Sequence, residues 1–290
     1  MKSKSKYLQL NQFINLFLLL IVATFNGYIN KEWIDIITII LFASFVENLL
    51  AYFNNKEFFL PYSSMITASS IILMIGWTKW YIPYILITLA LLQKWYIKVS
   101  NRHIFNPSNF AIIVSYLIFY PKAMPIVGQL GDSGYLTIIA IIFLATITLF
   151  FANRVAISIS FLLSYIILAN LILPYSNPNW NLDNFLDNLY STSFIVYTLF
   201  MITDPRVTPN SINRQILFGF LIAIITVALH YYTGVHLKNI FLALFLTNIL
   251  FFKIYIDLKS EDLLKYLFFL FLSAIIVIYI IDLPNRYFNM

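Results

Sequence analysis

Met201-Ile202-Thr203-Asp204-Pro205-Arg206-Val207-Thr208-Pro209-Asn210 interrupts apolar sequence on both sides with two prolines, a carboxylate, a guanidinium and two threonine hydroxyls. Pro205 and Pro209 have no backbone donor, and each biases the residue before it, Asp204 or Thr208, away from helical geometry. A helix entering this stretch therefore stops, and several amides and carbonyls must find partners that hydrocarbon cannot supply. Irregular backbone inside or at the edge of a membrane persists where it faces protein, water or a bound ligand, so the decapeptide reads as the wall of a site. A second polar break, Asn101-Arg102-His103-Ile104-Phe105-Asn106-Pro107-Ser108-Asn109-Phe110, lies in the first half of the chain. The two breaks are expected to converge on one pocket.

Composition sets the environment. Of 290 residues, 61% are apolar and 10% charged, against roughly 25% charged in a soluble domain. Apolar runs repeatedly reach the length of about 18 residues that a crossing helix requires. The fold class is therefore an all-α polytopic membrane protein, with the lipid bilayer as a partner. The absence of cysteine removes disulfides, iron–sulfur clusters and c-type haem attachment. The net charge of +6 is spread over short loops and not gathered in a stripe, which argues against nucleic acid and for positive charge held on the cytoplasmic side. Lys2, Lys4 and Lys6 precede the first apolar run as in a signal peptide, but Asn26-Gly27-Tyr28 stands where a small-residue cleavage site is needed. That run is read as a retained span.

Apolar segments fall at about 11–28, 33–52, 61–76, 80–98, 108–120, 135–152, 155–173, 190–203, 212–232, 238–256 and 263–282. Ten to eleven transmembrane helices are expected, in one membrane domain over residues 1–290. Segments 61–76, 108–120 and 190–203 are shorter than a crossing and begin or end at proline or a polar cluster, as discontinuous helices do. With every segment crossing, Lys94, Lys98, Arg102, Arg154 and Arg206 fall among 13 basic residues on the inside, and the remaining 5 of the 18 fall outside. This bias puts the N-terminus in the cytoplasm and the chain in the cell inner (cytoplasmic) membrane as a multi-pass protein.

Pro61-Tyr62-Ser63-Ser64-Met65-Ile66 and Leu189-Tyr190-Ser191-Thr192-Ser193-Phe194 open the third and eighth segments. Each segment is followed by a long helix and a polar connection with a lone histidine, His103 or His236. Two inverted five-helix repeats, about 11–120 and 135–256, with an appended helix at 263–282, account for this. Chance similarity in Ser-, Tyr- and Ile-rich sequence is the competing explanation.

Thr203, Asp204, Pro205, Arg206 and Thr208 form the sharpest cluster. One reading is a wet turn whose carboxylate and guanidinium cap helix ends and pair with each other; the other is a cofactor-binding turn with donors suited to a flavin edge, a quinone carbonyl or a phosphate. Asn106, Pro107, Ser108 and Asn109 offer amides and a hydroxyl where free helix amides also point, and the same residues serve equally as an ordinary N-cap. Glu47 is a functional suspect as a membrane carboxylate, or half of a structural pair with Lys56 or water. The connection 121–134 holds three of the seven glycines, Gly128, Gly131 and Gly134. No catalytic triad, Walker sequence or metal-ligand pair occurs, so neither catalytic nor metal residues are expected.

At the two breaks the chain resembles the family of NqrB, from the sodium-pumping NADH:quinone reductase, and RnfD, from the Rnf ferredoxin:NAD complex. Asn106-Pro107-Ser108-Asn109-Phe110 is similar to the family's Asn-Pro-Ala-x-x, and Phe200-Met201-Ile202-Thr203-Asp204-Pro205 to its Phe-Met-x-Thr-Asp-Pro. Ser64-Met65-Ile66-Thr67-Ala68 resembles its Thr-Gly helix, and Thr247-Asn248-Ile249-Leu250 a later helix end. The resemblance implies a ten-helix, two-repeat subunit that holds flavin (FMN or riboflavin) and works with other membrane redox subunits in electron transport coupled to ion movement. Flavinylated members carry Ser-Gly-Ala-Thr, whose threonine takes FMN through a phosphoester; here Asp132-Ser133-Gly134-Tyr135-Leu136-Thr137 stands instead. The flavin implied is thus noncovalent in preference to covalent. Shorter relatives without the motif, including enediyne biosynthesis membrane proteins, are also similar.

Three functions follow. The first is an electron-transfer subunit of an oxidoreductase complex, binding flavin or quinone between the breaks. The second is a transporter or channel-like carrier of a small solute or ion built on the same repeat. The third is a structural membrane subunit.

Overall fold

In a chain this apolar the backbone's polar groups are satisfied within helices, and helices make up most of the computed structural model. It describes residues 2–25, 27, 29, 31–55, 58–100, 102–126, 134–177, 180–189, 191–251 and 260–288. In chain order the helices are α1 (Lys2–Phe25), α2 (Trp33–Asn55), α3 (Tyr62–Met74), α4 (Ile82–Tyr96), α5 (Pro107–Val114), α6 (Gly134–Ala152), α7 (Val155–Ile172), α8 (Leu182–Leu189), α9 (Thr192–Val196), α10 (Ile212–Thr233), α11 (Leu237–Leu250) and α12 (Ser260–Phe288). Two of them continue as π-helical turns, α5 through Ser115–Phe119 and α9 through Tyr197–Met201.

Among the described residues, five helical stretches are long and apolar enough to cross a membrane: Tyr7–Phe25, Trp33–Asn54, Val155–Tyr175, Ile212–Thr233 and Asp262–Asp282. Tyr62–Met74, Pro107–Phe119 and Leu237–Leu250 are apolar but shorter. The protein is thus a mostly helical, multi-pass membrane protein. Lys56, Tyr190, Lys253, Lys259 and the glycine-bearing stretch 127–133 lie outside the described residues, and Thr137 falls in the first turn of α6.

The short helices end where other backbone takes over their polar groups. After α3 the chain forms β1 (Ile75–Trp77), which pairs antiparallel with β4 (Ala123–Pro125) beyond α5, with Gly76 opposite Met124. The Ile126 amide donates to Met74 O at 3.0 Å, and the Ser193 hydroxyl at the start of α9 donates to the Ile126 carbonyl. At their opposite ends α3, α5 and α9 meet again at Ser63, Asn106 and Asp204. The 13 residues of α3 span about 20 Å, roughly 10 Å less than the hydrocarbon layer.

Between α4 and α5 a two-residue hairpin pairs β2 (Lys98–Val99) with β3 (Arg102–His103), and Ser100 takes its turn at φ 50°. α7 and α10 touch closely: a Cβ on Gly219 would stand 2.5 Å from Ile157 O and 3.0 Å from Phe161 N. Ser160 Oγ donates to Ile216 O across the same contact at 2.7 Å. On its far side α7 presents Ile159, Leu163, Ile167 and Leu171, four residues apart and each more than half exposed, a stripe suited to lipid. α11 is buried along nearly its whole length.

Candidate functional site

Asn106 starts α5. Its Oδ1 accepts from the Ser108 and Asn109 amides at 2.9 and 3.1 Å, and Pro107, which has no amide to satisfy, takes the first helical position. The side-chain Nδ2 is thereby left to reach outward, and it donates to Asp204 Oδ2 at 3.1 Å and to Met201 O at 3.5 Å. The two breaks, 98 residues apart in sequence, are in direct contact.

At the second break Asp204 Oδ1 accepts from the Arg206 amide at 3.0 Å, and its carbonyl accepts from Thr208 Oγ1 at 2.7 Å and the Val207 amide at 3.2 Å. Thr203 Oγ1 donates back to Leu199 O at 2.8 Å. These bonds compensate for the donors that Pro205 and Pro209 lack. The turn is then fastened from three directions. Arg154, in the α6–α7 turn, donates through Nε to Thr208 Oγ1 at 2.9 Å and through Nη2 to Asn210 Oδ1 at 2.7 Å. Gln215 of α10 donates to Asn210 O at 3.2 Å. Arg206 Nη1 donates to Ser63 Oγ of α3 at 2.9 Å.

Ser63 also accepts from Lys94 Nζ at 3.0 Å, and Lys94 pairs with Glu47 at 2.6 Å. Trp95 Nε1 donates to the same carboxylate oxygen at 3.3 Å. Glu47 is thus the buried partner of Lys94 and Trp95 on α4, while Lys56, its expected partner, lies outside the described residues. A continuous polar chain runs from Asn106 through Asp204, Arg206, Ser63 and Lys94 to Glu47. Its fixed charges, with Arg154, are three cations and two carboxylates, so the region carries a net positive charge with His103 neutral.

Beside this chain lies a cavity of about 1060 Å³, at the upper end of the roughly 300–1,000 Å³ common for ligand pockets. Asn106, Pro107, Ser108, Asp204, Pro205 and Arg206 line it, facing Asn11 and Gln12 of α1 and Phe200 and Met201 of the α9 turn. Asn109, Thr203 and Thr208 stand behind the wall: Asn109 Nδ2 donates to Phe241 O of α11 at 3.2 Å, Thr203 bonds its own helix and Thr208 receives Arg154. Two lining atoms, Asn11 Nδ2 and His103 Nε2, are buried without a hydrogen-bond partner. Burial pushes His103 down to about 4, and Arg206, Lys94 and Lys98 push the same way against the upward pull of Asp204.

Arg154, Ser63, Lys94 and His103 were not among the residues singled out for the site by sequence. Arg154, Ser63 and Lys94 belong to other elements than the two breaks, while His103 lies within the Asn101–Phe110 break itself; the signal available was a charged or polar group bordering an apolar run. Among the described residues no group of three acidic, histidine or cysteine side chains is placed to hold a metal ion.

The model of the NQR2, RnfD, RnfE family matches residues 125–257. That stretch contains α6 to α11 and the Asp204 turn, and it is NqrB/RnfD-like, a likeness to membrane subunits of multisubunit complexes. No curated protein matches the chain.

Proposed function

From a second half that is NqrB/RnfD-like, we propose that the protein is a membrane electron-transfer subunit of an ion-coupled redox complex, and that the cavity between the breaks holds a noncovalent flavin, or a quinone in its place. The observation that carries this reading is the Asn106–Asp204 bond, 3.1 Å long, which joins both family-like motifs in one wall of a ligand-sized cavity. The cavity's chemistry fits such a ring. Asn106, Ser108 and Asp204 bring hydrogen-bonding groups to a flat edge, Phe200 and Met201 offer apolar contact, and Asn11 Nδ2 and His103 Nε2 have hydrogen-bonding capacity unused.

A flavin bound here would supply the hydride and one-electron chemistry that amino-acid side chains do not. Arg154 and Arg206 place positive charge around the cavity and so favour added negative charge within it. Pro205 and Pro209 keep the wall from sliding back into helix, and Arg154 fixes it by gripping Thr208. Full crossing by the short helices, the inverted repeat and a cytoplasmic N-terminus belong to the same proposal; they put the polar chain at the positively charged inner face.

Absorption spectra of the purified protein before and after acid precipitation test the reading. The expected result is flavin absorbance that acid releases into solution and that Asp204→Asn reduces. A colourless preparation that also ignores added flavin and added quinone overturns it.

A further inference from the structure

A second cleft, about 440 Å³ in volume, opens beside the first. Lys94, Trp95, Lys98, Arg102, His103 and Arg206 line it. With Pro205 and Asn210 the lining is eight residues, of which four carry fixed positive charge and none is a carboxylate. The carboxylates nearby are already engaged: Glu47 by Lys94 and Trp95, Asp204 by Asn106 and the Arg206 amide, and Asp262 of α12 by Ser100 at 2.9 Å and Lys265 at 3.9 Å. Among the described residues, then, Lys98, Arg102 and Arg206 have no acidic partner. Lys98 Nζ lies 5.1 Å above the Trp95 ring, a placement that keeps an ammonium at the rim.

His103 joins the two spaces. It lines both, together with Pro205, Arg206 and Asn210; it is 8% exposed, and its Nε2 has no partner. Unmatched cations around a half-enclosed cleft, with a buried ring nitrogen at its inner edge, suit a compact anion with several acceptor oxygens.

We infer that this cleft binds a phosphate monoester. The phosphate monoester has two sources here, the tail of a ligand whose ring lies in the larger cavity or the headgroup of phosphatidic acid. Where it is the ligand's tail, the inference rests on the flavin reading and makes the flavin the phosphorylated one.

The test uses purified full-length protein. Dissociation constants are measured for flavin mononucleotide and for riboflavin over a range of salt. Melting temperature is measured with sodium phosphate against sodium chloride at equal ionic strength, and in phosphatidylcholine nanodiscs with and without phosphatidic acid. The mononucleotide is expected to bind at least about tenfold more tightly than riboflavin, a preference that fades as salt rises. The exposed pair change Lys98→Gln with Arg102→Gln, checked for unchanged helicity, removes that preference. Equal binding of the two flavins, with no stabilisation by phosphate or phosphatidic acid, overturns the phosphate site and leaves the flavin reading standing. Failure of both flavins to bind, with stabilisation by phosphate or phosphatidic acid that the pair change abolishes, keeps the phosphate site and sinks the flavin reading. Stabilisation by phosphatidic acid alone assigns the phosphate to lipid. No response to any of the four probes overturns both.

Discussion

Asn106 and Asp204 sit on the same hydrogen bond and hold their breaks in opposite ways. Asn106 is local: two amides within three residues accept its help, and any chain beginning a helix with Asn-Pro does much the same. Asp204 is not. Its turn is held by Asn106 at the start of α5, by Arg154 between α6 and α7, by Gln215 on α10 and, through Arg206, by Ser63 on α3. A break closed by its neighbours in sequence keeps its shape wherever it is placed. One fastened by three distant elements, α5, the α6–α7 turn and α3, has its shape only in the assembled fold, and a cavity wall of that kind is as rigid as the fold itself.

The contrast breaks most sharply at Asp204. Asp204→Ala strips the acceptor from the Asn106 amide and from the Arg206 N–H and leaves three cations with less opposing charge. The expected loss is about 3 kcal/mol, the cost of a hydrogen-bonded charge in a network, read as a lowered unfolding midpoint in detergent. Asp204→Asn keeps one acceptor oxygen where the carboxylate offers two, so it can retain only one of the bonds from Asn106 and the Arg206 amide, and it should cost less than alanine. Equal losses for the two would mean that the charge, not the bonding, holds the turn.

Gly219→Ala supplies the comparison outside either break. Its methyl group meets the Ile157 carbonyl at 2.5 Å, backbone that yields only if α7 and α10 separate, and overpacking of this kind costs about 2 kcal/mol. It should lower stability as a site variant does and leave ligand affinity unchanged in the folded fraction. A matching loss of affinity would show that the helix contact and the cavity wall move together.

At Asn106 two substitutions separate the local from the distant role. Serine caps a helix nearly as well as asparagine but is too short to reach Asp204, so Asn106→Ser should cost about 1 kcal/mol, and Asn106→Ala, which loses both, about 2 kcal/mol. If serine is as damaging as alanine, the link to Asp204 carries the whole effect.

The same contrast explains what could be read from sequence. The breaks were visible because proline and clustered polar groups act on the backbone beside them, and so were the short helices at Tyr62–Met74, Pro107–Phe119 and Thr192–Met201, which stand close to the expected segments. The fastenings were not. Arg154 and Thr208 are 54 residues apart, and Glu47 and Lys94 are 47 apart; nothing in either neighbourhood names its partner. Glu47 has Lys56 as its nearest basic neighbour along the chain, and that residue lies outside the described ones; the contact with Lys94 comes from the packing of α4, which the sequence beside Glu47 does not announce. The charge count nevertheless held information, since Lys94, Arg154 and Arg206, assigned to one side, do gather at one end of the structure. The π-helical turns at Ser115–Phe119 and Tyr197–Met201 left no mark in composition.

The smallest effect at neutral pH comes from His103, and it ties the basic cleft to the wall. Burial, with Arg206, Lys94 and Lys98, pushes its pKa to about 4, while in an unfolded chain it lies near 6.5. Between those values the unfolded chain binds a proton that the folded one refuses, so stability rises with pH across the window. The contribution is fully present above pH of about 6.5 and is lost as pH falls through about 4. His103→Gln should flatten that part of the stability profile and leave the value at pH 7 nearly unchanged. Phosphate should flatten it too, because an anion in the cleft favours the protonated ring and draws the folded pKa upward; chloride at equal ionic strength should not. A profile indifferent to both the substitution and the anion would place His103 away from the charges that surround it here, and the Asp204 turn would then owe nothing to the cleft beside it.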